Sequence, residues 1–558
     1  MSAASVLAAL RTVALHCQLA AWSFTDEQAA EGFAVADGLR DLFLPPPAAA
    51  SSAVPQPHLL QWLQLLPTEL LSVVLSHLDT HDLARFAATC RPLWRDAPTS
   101  PPRPMPLLRP MGSVEMELRR RATARGLRSS SSLPKGALSW VPYLLKCVLC
   151  DMLRRETPLA AGYDFSVFLD AEGRLLACGS KYTEEGQLLL GHDWGTDVDP
   201  NEPRSIGPPT LVPSLQDMRI VSVAASDSHC LALTREGEVY SWGDGEYGSL
   251  GHAGGLTRGA RVVPSQIQTL SQIESIAAGR HWKSAAVDAA GRLFTWGRAI
   301  ALGDETMSSG LGYELDPAME CQPTPKRVDA LSEDCVVGVA LGHGFTLAVT
   351  DAGVVFSFGD GGDGVLGHGS LEAEVLPRRI EALAQTGRRF VAVAAGDRHS
   401  LALTEGGDLY GWGDGRTNGH GCDERTARQV AAFVGQRVKL VCTGAVSSRA
   451  VTDQGELFTW GSGVRGKLGH GDEEGQQTPK RVEGLRGVKV VATAMCETHT
   501  LVADEDGVVW AFGVRSALGL CDPDEYSDGE LPEDVLMPSP IPALRVRARR
   551  SPDVLPFR

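Results

Sequence analysis

Three groups of residues have types and spacings that could do chemistry. Gly243-x-Gly245-x-x-Gly248, Gly359-x-Gly361-x-x-Gly364 and Gly461-x-Gly463-x-x-Gly466 have the spacing of a dinucleotide-binding loop, whose glycines let backbone N–H groups approach a pyrophosphate. His192, His252, His368, His420 and His470 each follow a glycine, and imidazole is a common metal ligand and proton carrier. Cys147 and Cys150 form a CxxC pair, half the ligand set of a structural zinc site.

Each group loses its chemical meaning against its surroundings. A dinucleotide loop must lead from a strand into a helix, and no helical pattern follows any of the three. They recur at one position of a repeat, which is what tight turns do. The histidines also share one repeat position, so they fall on different structural units and cannot converge on one metal. The CxxC pair lies in SWVPYLLKCVLCDMLRRE, an apolar helical pattern with no second ligand pair, and reads as core. No Ser/His/Asp order, zinc spacing or phosphate loop remains. The expectation is no catalytic residue, no cofactor and no metal site, in a chain that works by binding and is not an enzyme.

The elements that carry these residues are repeats. A closing glycine recurs at Gly179, Gly243, Gly297, Gly359, Gly413, Gly461 and Gly513, and six residues before each stands a turn glycine, from Gly173 to Gly507. An opening small residue lies eleven before the turn glycine in six copies (Gly162, Ser226, Gly342, Gly396, Gly444, Cys496). In the third copy Gly279 lies twelve before Gly291, an insertion that reads as a bulge. Each copy holds three short alternating runs separated by glycine turns, as antiparallel strands require. A fourth segment, such as TPKRV at 478–482, completes a four-stranded blade. A closed ring removes the sheet edges that a linear array would expose, so the expected fold is mainly β, with a seven-bladed propeller over 157–558.

Composition narrows the function classes. At 558 residues, 43% hydrophobic and 22% charged, the chain is an ordinary globular protein, too long for one core. A net charge of −16 argues against a surface that coats nucleic acid. No apolar run reaches the roughly 18 residues that span a bilayer, so no membrane role is expected. Residues 1–22, MSAASVLAALRTVALHCQLAAW, read as a packing helix and not a targeting peptide. Twelve cysteines scattered through apolar runs suit a reducing compartment, cytoplasmic or nuclear.

Ahead of the repeats, 1–44 reads as a helical segment and 45–57 as a Pro/Ala linker. Residues 58–97 read as a helical hairpin, with Leu70, Leu71, Val74, Leu75 and Leu78 on one face. A Pro/Ser-rich linker follows over 98–138, with eight basic residues against two acidic between 98 and 135, and then a packing helix at 139–156. The basic stretch has the composition of a nuclear address or an acidic-partner patch, although a solvated linker explains it as well. A hairpin this apolar and this short cannot bury its side chains alone, so it must pack on the chain or on another protein.

Two resemblances give this organisation a meaning. The order Leu66, Pro67, x, Glu69, Leu70, Leu71, then Leu75, Leu78, Asp79, Asp82, Leu83, Arg85, Thr89, Cys90, Arg91 and Trp94 resembles the F-box. That resemblance implies docking on a Skp-type adaptor that leads to a cullin and a RING subunit, with Leu66, Pro67, Leu70, Leu71, Leu75, Leu78 and Leu83 in or behind the interface. AAGDRHSLALTEGGDLYGWG and GSGVRGKLGHGDEEGQQTPKRVEGL resemble repeats of the regulator of chromosome condensation, a family of seven-bladed propellers. Together they imply a substrate-recognition subunit of a cullin-based ubiquitin ligase, its propeller holding an unknown protein substrate. The alternatives are a Ran-type small-GTPase exchange factor, the activity for which the propeller family is named, or a general interaction scaffold. Light sensing fits poorly: plant ultraviolet-B receptors with this propeller place Trp directly after the opening glycine, where this chain has Tyr163, Asp227, Arg280, His343, Asp397, Ala445 and Glu497. Specificity is expected in the loops that differ between copies, 303–322 and 191–209.

Overall fold

The computed structural model describes residues 157–180, 205–252, 261–299, 310–315, 319–520 and 533–546. The expected segments at 1–44, 45–57, 58–97, 98–138 and 139–156 lie outside the described residues, as do Cys147, Cys150, His192 and most of the two variable loops. No helix among the described residues is long and apolar enough to cross a membrane.

The described residues form seven four-stranded antiparallel sheets, each with its strands in chain order. Blade 5 is representative: Phe390–Ala395, His399–Thr404, Leu409–Gly413 and Glu424–Gln429. First strands of successive blades are neighbours around the ring, and the first strand of blade 1 abuts that of blade 7. The second strand, HSLALT, is buried at every position, whereas the fourth, ERTARQ, is half exposed. That contrast explains why the second run is nearly continuous in small and apolar residues: both of its faces are covered by adjoining blades.

There is no single core. Seven apolar clusters lie between consecutive blades, for example Phe345, Leu347, Ile380, Phe390, Tyr410 and Trp412 between blades 4 and 5. The seam between blades 7 and 1 is built the same way, from Leu159, Phe168 and Cys178 against Leu501, Val509, Ile541 and Leu544. A polar latch repeats with the clusters. The second residue of the second strand donates its hydroxyl to a loop carbonyl of the preceding blade: Ser284 to Ser249, Thr346 to Gly310, Ser400 to Val365, Ser448 to Thr417 and Thr500 to Lys467, at 2.7–2.9 Å. Ser166 of blade 1 does so to Ala517 of blade 7 at 2.6 Å, so the ring closes with the bond that joins blades 2 to 7 in succession; blade 2 has Cys230 in the hydroxyl's place.

The repeated glycines and aromatics serve this packing. Every closing glycine has a positive φ of 96–114°, and a Cβ on Gly413 would lie 2.4 Å from the Arg398 carbonyl. The ladder to the fourth strand shifts register at the residue before that glycine, in blade 5 between Gly411 and Gly413. The shift turns the aromatic out of its own sheet. Trp296, Trp412 and Trp460 then donate to the Ser249, Val365 and Thr417 carbonyls of the blade before, at 2.6–2.8 Å.

One expectation is corrected. The extra residue of the third copy does not make a bulge. Gly279 pairs directly with Lys283, so the insertion enlarges the turn between the first two strands to Arg280, His281 and Trp282.

Candidate functional site

In every blade the first strand ends at the opening small residue or just before it, and the third runs parallel to it and ends at the closing glycine or one residue beyond. The turns after the first strands and the loops after the third strands therefore share one face of the ring. The turns surround the axis and the loops lie outside them. On this face the blades differ most.

Histidines that begin the second strand form a buried belt beneath it. His229, His399 and His499 reach the serines Ser284, Ser448 and Ser166 of a neighbouring blade at 2.8, 2.6 and 2.9 Å. Each serine hydroxyl already donates to a loop carbonyl, so each imidazole must donate through Nε2. Burial disfavours the charged ring and lowers His229 and His499 to about 3 and His399 to about 4. The loop histidines have a similar task within single blades. His252, His368 and His470 lie 2.9, 2.9 and 3.0 Å from hydroxyls of Ser241, Ser357 and Thr459, and His420 lies 3.1 Å from the Gly411 carbonyl.

The glycine-rich loops are tight turns followed by strands. Glu246–Gly248, Gly362–Gly364 and Val464–Gly466 are single 3₁₀ turns. Their last glycine admits the next blade: a Cβ on Gly248 would lie 2.3 Å from Cα of Pro323.

The mouth of the ring is charged. Arg280 crosses the axis, and its Nε, Nη1 and Nη2 donate to Asp227, Asp397 and Glu497 of blades 2, 5 and 7 at 2.7, 2.6 and 2.7 Å. Burial opposes its charge, yet the carboxylates hold its pKa above the ordinary arginine value. Three acids share one guanidinium, and Asp397 is pushed up to about 6, by burial first and then by Asp227 and Glu497. Four of the positions named from the sequence, Asp227, Arg280, Asp397 and Glu497, are thus in one cluster.

Beside this hub, blade 3 departs from the repeat. His281 and Trp282 have φ of 57° and 60°, a left-handed conformation that costs a bulky residue roughly 1 kcal/mol. The Trp282 indole donates to Asp244 at 2.6 Å, and its ring lies 5.2 Å from that of Tyr247. Arg298 extends over both rings, 4.4 Å from the Tyr247 centroid and 5.2 Å from that of Trp282. The rings of His281 and His343 meet at a tilt, 4.2 Å between centroids, and burial, aided by His343 and Arg280, lowers His281 to about 4. Lys283 takes the position held by histidine in blades 2, 5 and 7. Fully buried, it is lowered to about 7 and donates to the Phe345 carbonyl at 3.2 Å.

Leu66, Pro67, Leu70, Leu71, Leu75, Leu78 and Leu83 lie outside the described residues. The variable loop of blade 3 is described in part: its Leu311 and Tyr313 are buried, with the Tyr313 hydroxyl donating to the Thr295 carbonyl at 2.9 Å. Reading the sequence missed the Tyr247, Trp282 and Arg298 group. Two signals pointed there: the extra residue after Gly279, and Arg298 directly after a closing glycine, where blades 2, 4 and 5 have Asp244, Asp360 and Asp414.

Fold and face define a seven-bladed propeller with an asymmetric mouth. Residues 172–233, 236–282, 352–403 and 454–503 match the model of the regulator of chromosome condensation (RCC1) repeat, and a second model of that repeat matches 220–249 and 390–422. Residues 63–97 match the F-box-like model. The chain therefore carries an F-box-like segment followed by a propeller of RCC1 repeats. It is 38% identical over 373 residues to the human E3 ubiquitin-protein ligase HERC2, an alignment covering 65% of this chain and 6% of that protein. It is 34% identical over 247 residues to the Arabidopsis thaliana ultraviolet-B receptor UVR8, covering 43% of this chain and 52% of the receptor. The chain thus spans a small part of the first relative and about half of the second. The structure of Prp20p from Saccharomyces cerevisiae superposes with a TM-score of 0.53 at 21% identity, covering 70% of this chain and 89% of Prp20p. Human WBSCR16 does so with 0.52 at 22%, covering 62% and 86%. At these identities the two structures establish the shared fold.

Proposed function

We propose that this protein is a non-catalytic substrate-recognition subunit of a cullin-RING ubiquitin ligase. The observation that carries the reading is the F-box-like match at 63–97 ahead of the propeller. Leu66, Pro67, Leu70, Leu71, Leu75, Leu78 and Leu83 hold a Skp-type adaptor, and the propeller holds the target protein. The pair raises the effective concentration of charged ubiquitin-carrying enzyme beside the target, so rate is gained by proximity. An adaptor pull-down tests this: Leu70→Asp with Leu75→Asp abolishes capture of the adaptor and cullin, and unchanged capture refutes the reading.

A second reading has its own support, because Prp20p, which has the same fold, binds Gsp1p and histones. Under it the propeller face accelerates nucleotide release from a small GTPase. Stopped-flow release of a fluorescent guanine nucleotide from a GTPase panel decides: no acceleration removes it.

A further inference from the structure

We propose that Arg298, seated on Tyr247 and Trp282, is the anchor for one carboxylate side chain of the partner protein. This rests on the reading of the propeller as the partner-binding module, and it assigns both the place and the chemistry of the contact.

Arg280 and Arg298 lie on one face but differ in what they have left to give. Arg280 has its three nitrogens committed to Asp227, Asp397 and Glu497. Arg298 has no ion pair among the described residues, and its guanidinium meets two aromatic rings. The nearby acid, Asp244, is already used: Oδ2 accepts from the Trp282 indole and Oδ1 from the Glu246 backbone N–H. A stacked guanidinium keeps its N–H edge open, and that planar fork matches a carboxylate in two parallel hydrogen bonds. Stacking also removes much of the rotational freedom that a free arginine loses on binding.

The Arg298 backbone N–H donates to the Trp282 carbonyl at 2.9 Å, the bond that Asp244, Asp360 and Asp414 make to Ser228, Gly344 and Arg398 in blades 2, 4 and 5, so the repeat's own backbone sets the arginine beside the enlarged turn. Trp282 is kept in a left-handed conformation that blade 4 reaches at the same place with a glycine, Gly344, and that the turns of blades 1, 2, 5, 6 and 7 lack. Trp, Tyr and Arg are also the residues in which binding energy concentrates at interfaces. Specificity follows from the hub next door. Three carboxylates on one guanidinium leave surplus negative charge at the axis. A run of acidic residues would meet that charge, so the favoured segment has a single Asp or Glu with neutral or basic neighbours.

The test uses the full chain as bait for a displayed library of random dodecapeptides. Bound peptides are expected to share one fixed Asp or Glu without acidic neighbours. Arg298→Gln should weaken a representative peptide about tenfold or more, as should amidation of its acid, and the two together should cost little beyond either alone. Arg416→Gln, an exposed arginine of the same face, should leave binding unchanged. An unaltered unfolding midpoint for Arg298→Gln shows that folding is intact. The proposal is overturned by enriched peptides without a fixed acid, by no enrichment, by unchanged binding to Arg298→Gln, or by Arg298-dependent capture of a single-stranded RNA dodecamer in place of peptides. The Leu70→Asp, Leu75→Asp chain should bind the peptide normally, so failure of the ligase reading and failure of this one give different results.

Discussion

Blades 3 and 5 start from the same backbone and end with different surfaces. Blade 5 turns through Gly396, Asp397 and Arg398 into His399, whose ring locks onto Ser448, while Trp412 bolts to the Val365 carbonyl of blade 4. Blade 3 keeps the bolt, with Trp296 on the Ser249 carbonyl, but enlarges the turn, replaces the belt histidine with Lys283 and sets Arg298 where blade 5 has Asp414. The difference separates two jobs. What the blades share closes the ring; of what blade 3 changes, Lys283 is buried, and the enlarged turn and Arg298 lie at the mouth.

The largest expected effect concerns the shared belt. The pKa values of His229, His399 and His499 are depressed in the folded state to about 3, 4 and 3. The unfolded chain therefore binds more protons below the ordinary value of about 6.5, and folding stability is full above that pH and is lost as pH falls toward 4. Each ring costs ~1.4 kcal/mol per pH unit, so the three remove about 6 kcal/mol between pH 6.5 and 5. Asp397, raised to about 6, acts in the opposite sense between its ordinary value and 6, which shallows the slope. Denaturant unfolding at pH 7 and pH 5 measures this, and equal midpoints would remove the belt from the account.

Next in size is the bolt. Trp412 is fully buried, and Trp412→Ala should cost about 3–5 kcal/mol in the same experiment. Arg280→Ala should cost less, about 2–3 kcal/mol, because the three stranded carboxylates are partly exposed and partly relieved by water. Its loss should be smaller at pH 5, where Asp397 is protonated. Trp282→Ala should have the smallest effect on stability, under about 1 kcal/mol, since the side chain is only partly buried. A loss as large as that of Trp412→Ala would mean that blade 3's turn is packing and not surface.

These contrasts show how far the sequence could be read. The glycines, the latch serines and the bolt tryptophans repeat at fixed intervals, and fixed intervals are what a ring of identical interfaces imposes. Blade count, strand order and turn positions followed from them. The insertion after Gly279 was visible as a number, but a count from glycine to glycine does not tell a bulged strand from a longer turn. Arg280 meets its acids across 53, 117 and 217 residues, and no local pattern encodes a contact through the axis of a ring. Arg298 stood out only by comparison with Asp244, Asp360 and Asp414, a departure with meaning once the loop that they cap is seen. The F-box-like segment was legible for the opposite reason: its order of Leu, Pro, Asp and Arg is local.

The central claim is that two modules bind two partners independently, one through the F-box-like segment and one through the mouth of blade 3. Quantitative affinity purification of the wild-type chain, the Leu70→Asp, Leu75→Asp chain and the Arg298→Glu chain tests it directly. The account predicts that the first variant loses adaptor and cullin while keeping the remaining partners, and that Arg298→Glu keeps adaptor and cullin while losing a propeller partner. Loss of the same proteins from both variants, or an unchanged set with Arg298→Glu, would contradict it.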